Sequence, residues 1–141
     1  MSRRTTALHT KATWHHGNIG SREQWTLRLE PQQIAELRQA ADTILAQGGR
    51  WQTTTRTDMH LPSWDGLARQ LQQELEGGRG FALLSSLPVH ELSLEQVRLM
   101  LWGIGQHVGY PEPQDAAGNL LHDVRDTGKD LASDNVRAYQ T

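Results

Sequence analysis

Apolar positions fall into short patterned runs separated by polar or glycine-rich sequence. Trp25, Leu27 and Leu29 alternate with Thr26, Arg28 and Glu30, the two-residue period of a strand. Pro31 suits a first helical position, where its missing N–H would have found no partner. From there Ile34, Leu37, Ala41, Ile44 and Leu45 recur at helical spacing until Gly48-Gly49, which predicts an amphipathic helix. Residues 50–62 are polar, threonine-rich and aperiodic, so they predict a loop. Ser63 is placed to cap a second helix, with Leu67, Leu71 and Leu75 on one face and Gly77-Gly78 at its end. Gly80-Phe81-Ala82-Leu83-Leu84 is an unbroken apolar segment, the mark of a buried strand, and Pro88 marks a turn.

The third helix has the clearest local signature. Ser93 and Gln96 have capping-box spacing, and Leu92 with Val97 supplies the hydrophobic staple. Val97, Leu101, Ile104 and Val108 form the expected buried stripe, and Gly109 fits a left-handed cap. After Pro111 and Pro113 the chain turns polar. Only Leu120-Leu121 with Val124, and Val136 with Tyr139, look capable of strand pairing. Three helices and about four short strands define an α+β chain without internal repeats.

Composition narrows the function. Hydrophobic residues make up 36% of the 141, enough for one core. Net charge is −2, with 14 basic and 16 acidic residues intermixed, so no broad basic face is expected and nucleic acid is not an expected partner. No apolar run approaches the ~20 residues that span a bilayer, so no membrane partner is expected either. The absence of cysteine excludes disulfides, thiolate zinc sites and a cysteine nucleophile, and suits a cytoplasmic setting. Residues 1–22 lack any acid and carry Arg3, Arg4, Lys11 and Arg22, which reads as a flexible basic leader ahead of a domain over 23–141. Ser2-Arg3-Arg4 is followed by no apolar stretch and makes no export signal.

Seven histidines invite a search for metal chemistry. A mononuclear iron oxygenase needs two imidazoles and one carboxylate on one face of the ion, commonly traced as His-x-Asp or His-x-Glu. His9, His15, His16, His60, His90, His107 and His122 are followed two positions on by Lys11, Gly17, Asn18, Pro62, Leu92, Gly109 and Val124. None gives the motif, so no metal ligand and no catalytic residue is expected here. The adjacent His15-His16 pair is a poor chelate. His107 ends the third helix, where an imidazolium favours the negative dipole end, and that role outweighs catalysis. His122-Asp123 reads as a loop hydrogen bond more readily than as an acid–base pair. Gly103-x-Gly105 lies inside a helix and implies packing, not a dinucleotide loop. Ser85-Ser86 lacks the context of a nucleophile elbow, and Trp102 reads as packing. Between Gln114 and Thr141 charged and amide side chains crowd together, as a solvated loop or as a pocket wall fixing polar substrate groups.

Larger pieces of the chain form a familiar succession. Gly78-Arg79-Gly80-Phe81-Ala82-Leu83-Leu84, Leu87-Pro88-Val89 and Trp102-Gly103-Ile104-Gly105-Gln106-His107-Val108-Gly109 come first. Gln114–Gly118, Leu120-Leu121-x-x-Val124-Arg125-Asp126-Thr127-Gly128 and Asn135-Val136-Arg137-Ala138-Tyr139-Gln140-Thr141 follow. Together, over about residues 63–141, they resemble the taurine catabolism dioxygenase family (TauD/TfdA-like). The resemblance implies an iron(II) and 2-oxoglutarate-dependent oxygenase on a double-stranded β-helix, a jelly-roll-like fold. In relatives a Phe-His-Thr-Asp segment follows shortly after Tyr-Gln-Thr and supplies the first His and the carboxylate. The second His and a 2-oxoglutarate-binding Arg come much later.

On that resemblance the chain is expected to be the amino-terminal portion of such an enzyme, preceding its His-x-Asp motif and inactive alone. No cofactor is expected of this chain, while the intact enzyme would use Fe(II) and 2-oxoglutarate on a small polar metabolite. Arg125, Asp126, Arg137 and Tyr139 are the expected substrate-pocket wall. Ser85-Ser86 stands where Arg-Gly is common in the family, and His122-Asp123 where Gly-His is frequent. An incomplete jelly roll would expose sheet edges that invite self-association. The alternative is a stand-alone binding or assembly module descended from the same fold.

Overall fold

The computed structural model describes Thr6, residues 9–113 and residues 115–123. The strand expected at Val136–Tyr139 and the wall residues Arg125, Asp126, Arg137 and Tyr139 lie outside those residues. The chain divides into two units, Met1–Pro111 and Glu112–Thr141.

In the first unit, strand β1 (Thr26–Arg28) leads through Glu30 into helix α1 (Pro31–Ala46). Glu30 caps α1, its N–H donating to Gln33 Oε1 at 2.9 Å, and Leu37, Ala41 and Ile44 form the buried face. Gly48, at φ +74°, turns the chain out of the helix. Helix α2 (Asp65–Gly77) and strand β2 (Leu83–Ser85) follow, then helix α3 (Leu94–Val108). β1 and β2 pair in parallel, Thr26 opposite Leu83, Leu27 opposite Leu84 and Arg28 opposite Ser85. A parallel pair needs a long crossover, and α1 and α2 lie within it.

The mixed helix-and-strand content is therefore present, but the described residues hold a two-stranded parallel sheet and no jelly roll, whose strands run antiparallel. Leu120 and Leu121 belong to no strand. β2 has one strand neighbour and is half-buried, which corrects the expectation of a buried strand. No helix among the described residues is long and apolar enough to cross a membrane.

Four further expectations need correction. Ser63 does not cap α2: its N–H and hydroxyl donate to Glu36 Oε2 at 3.0 and 2.7 Å, and the chain enters α2 through a 3-10 turn, Pro62–Trp64. Leu75 is 42% exposed, because four-residue spacing advances about 40° per step against the 3.6-residue helix and drifts off the face that buries Ala68 and Leu71. Of the expected stripe on α3, Ile104 is buried and Val108 packs against the core, but Leu101 is 54% exposed and Leu99, Met100, Trp102, Gly103 and His107 are buried instead, so the buried face is rotated from the expected one. More apolar residues line α3 than one face can bury, and Gly103 decides the rotation. A Cβ there would lie 2.4 Å from Met59 Sδ, so the helix approaches the 50–62 loop at a position without a side chain. Gly109 is extended at φ −167°, not left-handed, and its N–H reaches Gly105 O at 2.9 Å.

The 50–62 loop is irregular, as expected, yet it feeds the core. Met59 and Leu61 are fully buried beside Leu37, Trp64 and Leu99. The Thr54 carbonyl accepts Trp102 Nε1–H at 2.8 Å and Gln106 Nε2–H at 2.9 Å, tying the loop to α3. Within the segment read as a leader, Trp14 donates its indole N–H to Arg79 O at 2.9 Å and packs edge-on to Phe81, with ring centroids 5.0 Å apart.

Ser86 has φ 78°, a left-handed conformation that disfavours any residue with a Cβ. It is also the position where the resembling family commonly carries glycine. Ser86→Gly is expected to stabilise the chain by about 0.5–1 kcal/mol after the entropy of the unfolded glycine is counted. Thermal unfolding should show a rise of a few degrees, and a fall would mean that the serine conformation is not strained.

Candidate functional site

The site is built on the seam between the 50–62 loop, the start of α2 and the end of α3. A cleft of about 370 Å³ runs between Arg56, Thr57 and His60 on the loop and Asp65 on α2, with Leu61 and Pro62 as apolar lining. His107 of α3 lines it as well. A second cleft, of about 400 Å³, shares Arg56 and His107 and extends past Thr55, Gln72 and Tyr110. The side chains are brought together by two local facts: Gly103 lets α3 settle on the loop, and Pro62–Trp64 turns the chain directly from Leu61 into α2.

His107 is the buried member, 6% exposed, and its Nε2 lies 2.8 Å from Met59 O. A carbonyl only accepts, so Nε2 carries the proton and the imidazole pins the loop. The sequence located this histidine at the helix end but assigned it to the dipole. The structure instead turns it inward as a hydrogen-bond donor. Its Nδ1 is buried without a partner among the described residues. An unsatisfied buried polar atom costs about 1–3 kcal/mol, and such atoms are rare in native proteins outside sites with a purpose.

The charged side chains around the cleft lack ion-pair partners among the described residues. The Arg56 guanidinium and the Asp65 carboxylate both line it, and neither side chain has an ion pair or hydrogen bond among the described residues. Nearby carboxylates are already committed. Glu36, half-buried on α1, accepts from the Ser63 hydroxyl and N–H, and these bonds hold its pKa below the ordinary 4.5. Asp58 is lowered likewise by the Thr55 hydroxyl and N–H.

These shifts fix the direction of acid sensitivity. Carboxylates with a lowered folded pKa stabilise the protein above their unfolded values, and that stability is lost as pH falls through the folded values. The urea midpoint is therefore expected to stay level from about pH 7 to 5 and to decline below about 4.5. Glu36→Gln should lower the neutral midpoint and flatten the decline. An unchanged acid limb in that variant would show that the Ser63 bonds do not govern it.

The other sequence candidates are placed elsewhere. His15 Nδ1 accepts Gly17 N–H at 3.0 Å in a local turn. In the second unit, Asp115 Oδ1 accepts the N–H groups of Ala117 and Asn119 at 2.9 and 3.0 Å, and His122 Nδ1 lies 3.4 Å from Asp115 Oδ2. His122 thus sits beside a loop carboxylate, that of Asp115. The Asn119 side chain, followed by its backbone, holds the Asp115 pKa low. Among the described residues no group of three or more His, Asp or Glu side chains gathers where a metal ion could be held. The expected wall residues lie outside the described residues, and the structure brings forward Arg56, His60 and Asp65, which sequence spacing did not mark.

Comparison with known proteins bears on the same question. No family model matches the chain. The chain is 30% identical over 132 residues to FR-33289 synthase of Streptomyces rubellomurinus (strain ATCC 31215). The match covers 93% of this chain and 39% of that protein, so the chain spans about two-fifths of the length of its relative. A distant relationship to an enzyme named a synthase is thus established.

Proposed function

We propose that this chain is the amino-terminal portion of a non-haem iron(II), 2-oxoglutarate-dependent dioxygenase of the TauD/TfdA-like family. The observation that carries this reading is the ordered succession of family-like segments from Gly78 to Thr141, supported by a synthase relative matched over 132 residues. In that role the chain contributes helical cover, the first strands and one wall of the pocket for a small polar metabolite, with Arg125, Asp126, Arg137 and Tyr139 on the wall. The intact cytoplasmic enzyme would hydroxylate or desaturate that metabolite on a jelly-roll scaffold.

The described residues do not fit the family's metal. His107 spends Nε2 on Met59 O, His15 spends Nδ1 on Gly17, and no trio of donors converges. The reading therefore assigns the iron ligands to sequence outside these residues, and no chemical step falls to the cleft side chains through that metal.

The DNA that follows codon 141, read in all three frames, tests the proposal. A His-x-Asp stretch shortly downstream, then a distant His and Arg, is the expected result, and their absence overturns it. Ferrous titration of the 141-residue chain with 2-oxoglutarate under argon is expected to give no charge-transfer band. A stoichiometric band would overturn the assignment of the ligands to other sequence.

A stand-alone binding or assembly module of the same descent is the second reading. The core of the first unit favours it, since Leu37, Met59, Leu61, Trp64 and Leu99, all from that unit, form one buried cluster. It expects no metal motif downstream and a single defined oligomer in sedimentation velocity.

A further inference from the structure

Arg56 and Asp65 line one cleft with opposite charges, and neither has a partner among the described residues. They do not satisfy each other, since no ion pair joins them within 4.0 Å. A guanidinium presents a planar fork of donors suited to a carboxylate. The Asp65 carboxylate accepts only, and so calls for an ammonium or another donor. Leu61 and Pro62 supply the cleft's apolar lining, Pro62 being the exposed one. The volume, about 370 Å³, lies at the small end of the range for small-molecule sites. A macromolecular partner would call for a broad surface, not a cleft of this size. His107 adds the second, independent sign of a site: it lines the same cleft, is more than nine-tenths buried, and keeps an unpartnered Nδ1.

We infer that this cleft binds a small zwitterion of the amino-acid class, its carboxylate on Arg56 and its ammonium on Asp65. A simple anion would meet Arg56 but face repulsion from Asp65, and a simple amine the reverse. A molecule carrying both groups answers both charges. The inference does not rest on the dioxygenase reading, because it is argued from the unpaired charges of this cleft, which includes none of the expected wall residues.

Isothermal titration of the 141-residue chain at low ionic strength tests it, with L-serine and L-glutamine as zwitterions of two sizes. Two controls each lack one charge of serine: 3-hydroxypropanoate has no ammonium, and ethanolamine has no carboxylate. Saturable one-to-one binding of at least one amino acid is expected, at least about 10-fold tighter than either control. Asp65→Asn should lower amino-acid affinity to the level of 3-hydroxypropanoate, and Arg56→Gln to the level of ethanolamine. Both side chains are exposed and unpaired, so both variants should keep the far-ultraviolet circular dichroism of the parent, with the urea midpoint unchanged for Arg56→Gln and only slightly lower for Asp65→Asn, whose charge sits in the first turn of α2. Saturation by neither amino acid, equal affinity for controls and amino acids, or unchanged affinity in both variants would each overturn the inference. None of those outcomes touches the downstream metal motif, so failure here and failure of the dioxygenase reading are separate events.

Discussion

Trp64→Ala is expected to lower the unfolding free energy by about 3–5 kcal/mol, the range for removing a fully buried large aromatic. The indole is 0% exposed and sits at the end of the Pro62–Trp64 turn that launches α2. Its Nε1–H donates to Gln33 O at 3.0 Å, and Gln33 Nε2–H returns to Ser63 O at 3.2 Å. One side chain thus locks α1 to the start of α2 by packing and by a reciprocal pair of bonds. Alanine forfeits the contacts and leaves a cavity that α1 and α2 cannot easily close, because Ser63 is also held by Glu36. At about 4–8 °C per kcal/mol for a unit of this size, the melting temperature should fall by at least ~12 °C. Trp64→Phe keeps most of the volume and loses the N–H donor, and should fall between the two. Both numbers come from urea and thermal unfolding followed by circular dichroism. A loss below about 1 kcal/mol for alanine would show that the indole is not the packed keystone described.

The same residue shows where the sequence was legible and where it was not. Features decided within one or two turns could be read directly: the alternation at Trp25–Leu29, Pro31 opening α1, Gly48 closing it, and the reciprocal Ser93–Gln96 cap, whose bonds measure 2.7 and 3.3 Å. Features decided by partners far along the chain could not. Met59 and Leu61 lie in a polar, aperiodic stretch, and only the approach of α3 makes them core. Ser63 has the composition of a cap, but a carboxylate from α1 competes for its donors. The rotation of α3 turns on Gly103 meeting Met59, a contact spanning more than forty residues. The family-like segments carry the proposed functional class, while Arg56 and Asp65 bear no periodic or motif signal. Their meaning arises from sharing a cleft while both lack partners, and a linear sequence does not display that.

Gly103 and Met59 should behave as one unit, with a coupling large enough to measure. Gly103→Leu places a Cβ where Met59 Sδ and Cε now lie, at 2.4 and 2.7 Å, closer than atoms tolerate. Met59 cannot retreat far, since it is 0% exposed and its carbonyl is held by His107 at 2.8 Å. Overpacking of this kind costs about 1–3 kcal/mol, partly offset by up to ~1 kcal/mol of helix propensity over glycine. Met59→Ala alone should cost about 2–5 kcal/mol through lost contacts and a residual cavity. In the double variant the new leucine enters the space that the methionine vacated. The combined loss should then be smaller than the sum of the single losses by about 1–3 kcal/mol. Urea unfolding of the parent, both single variants and the double variant closes the cycle. Additivity within about 0.5 kcal/mol would mean that the glycine does not admit Met59, and would remove the reason for the rotation of α3. Because the same contact seats the loop that carries Arg56, Gly103→Leu should also weaken amino-acid binding in the cleft, and the double variant should recover part of it.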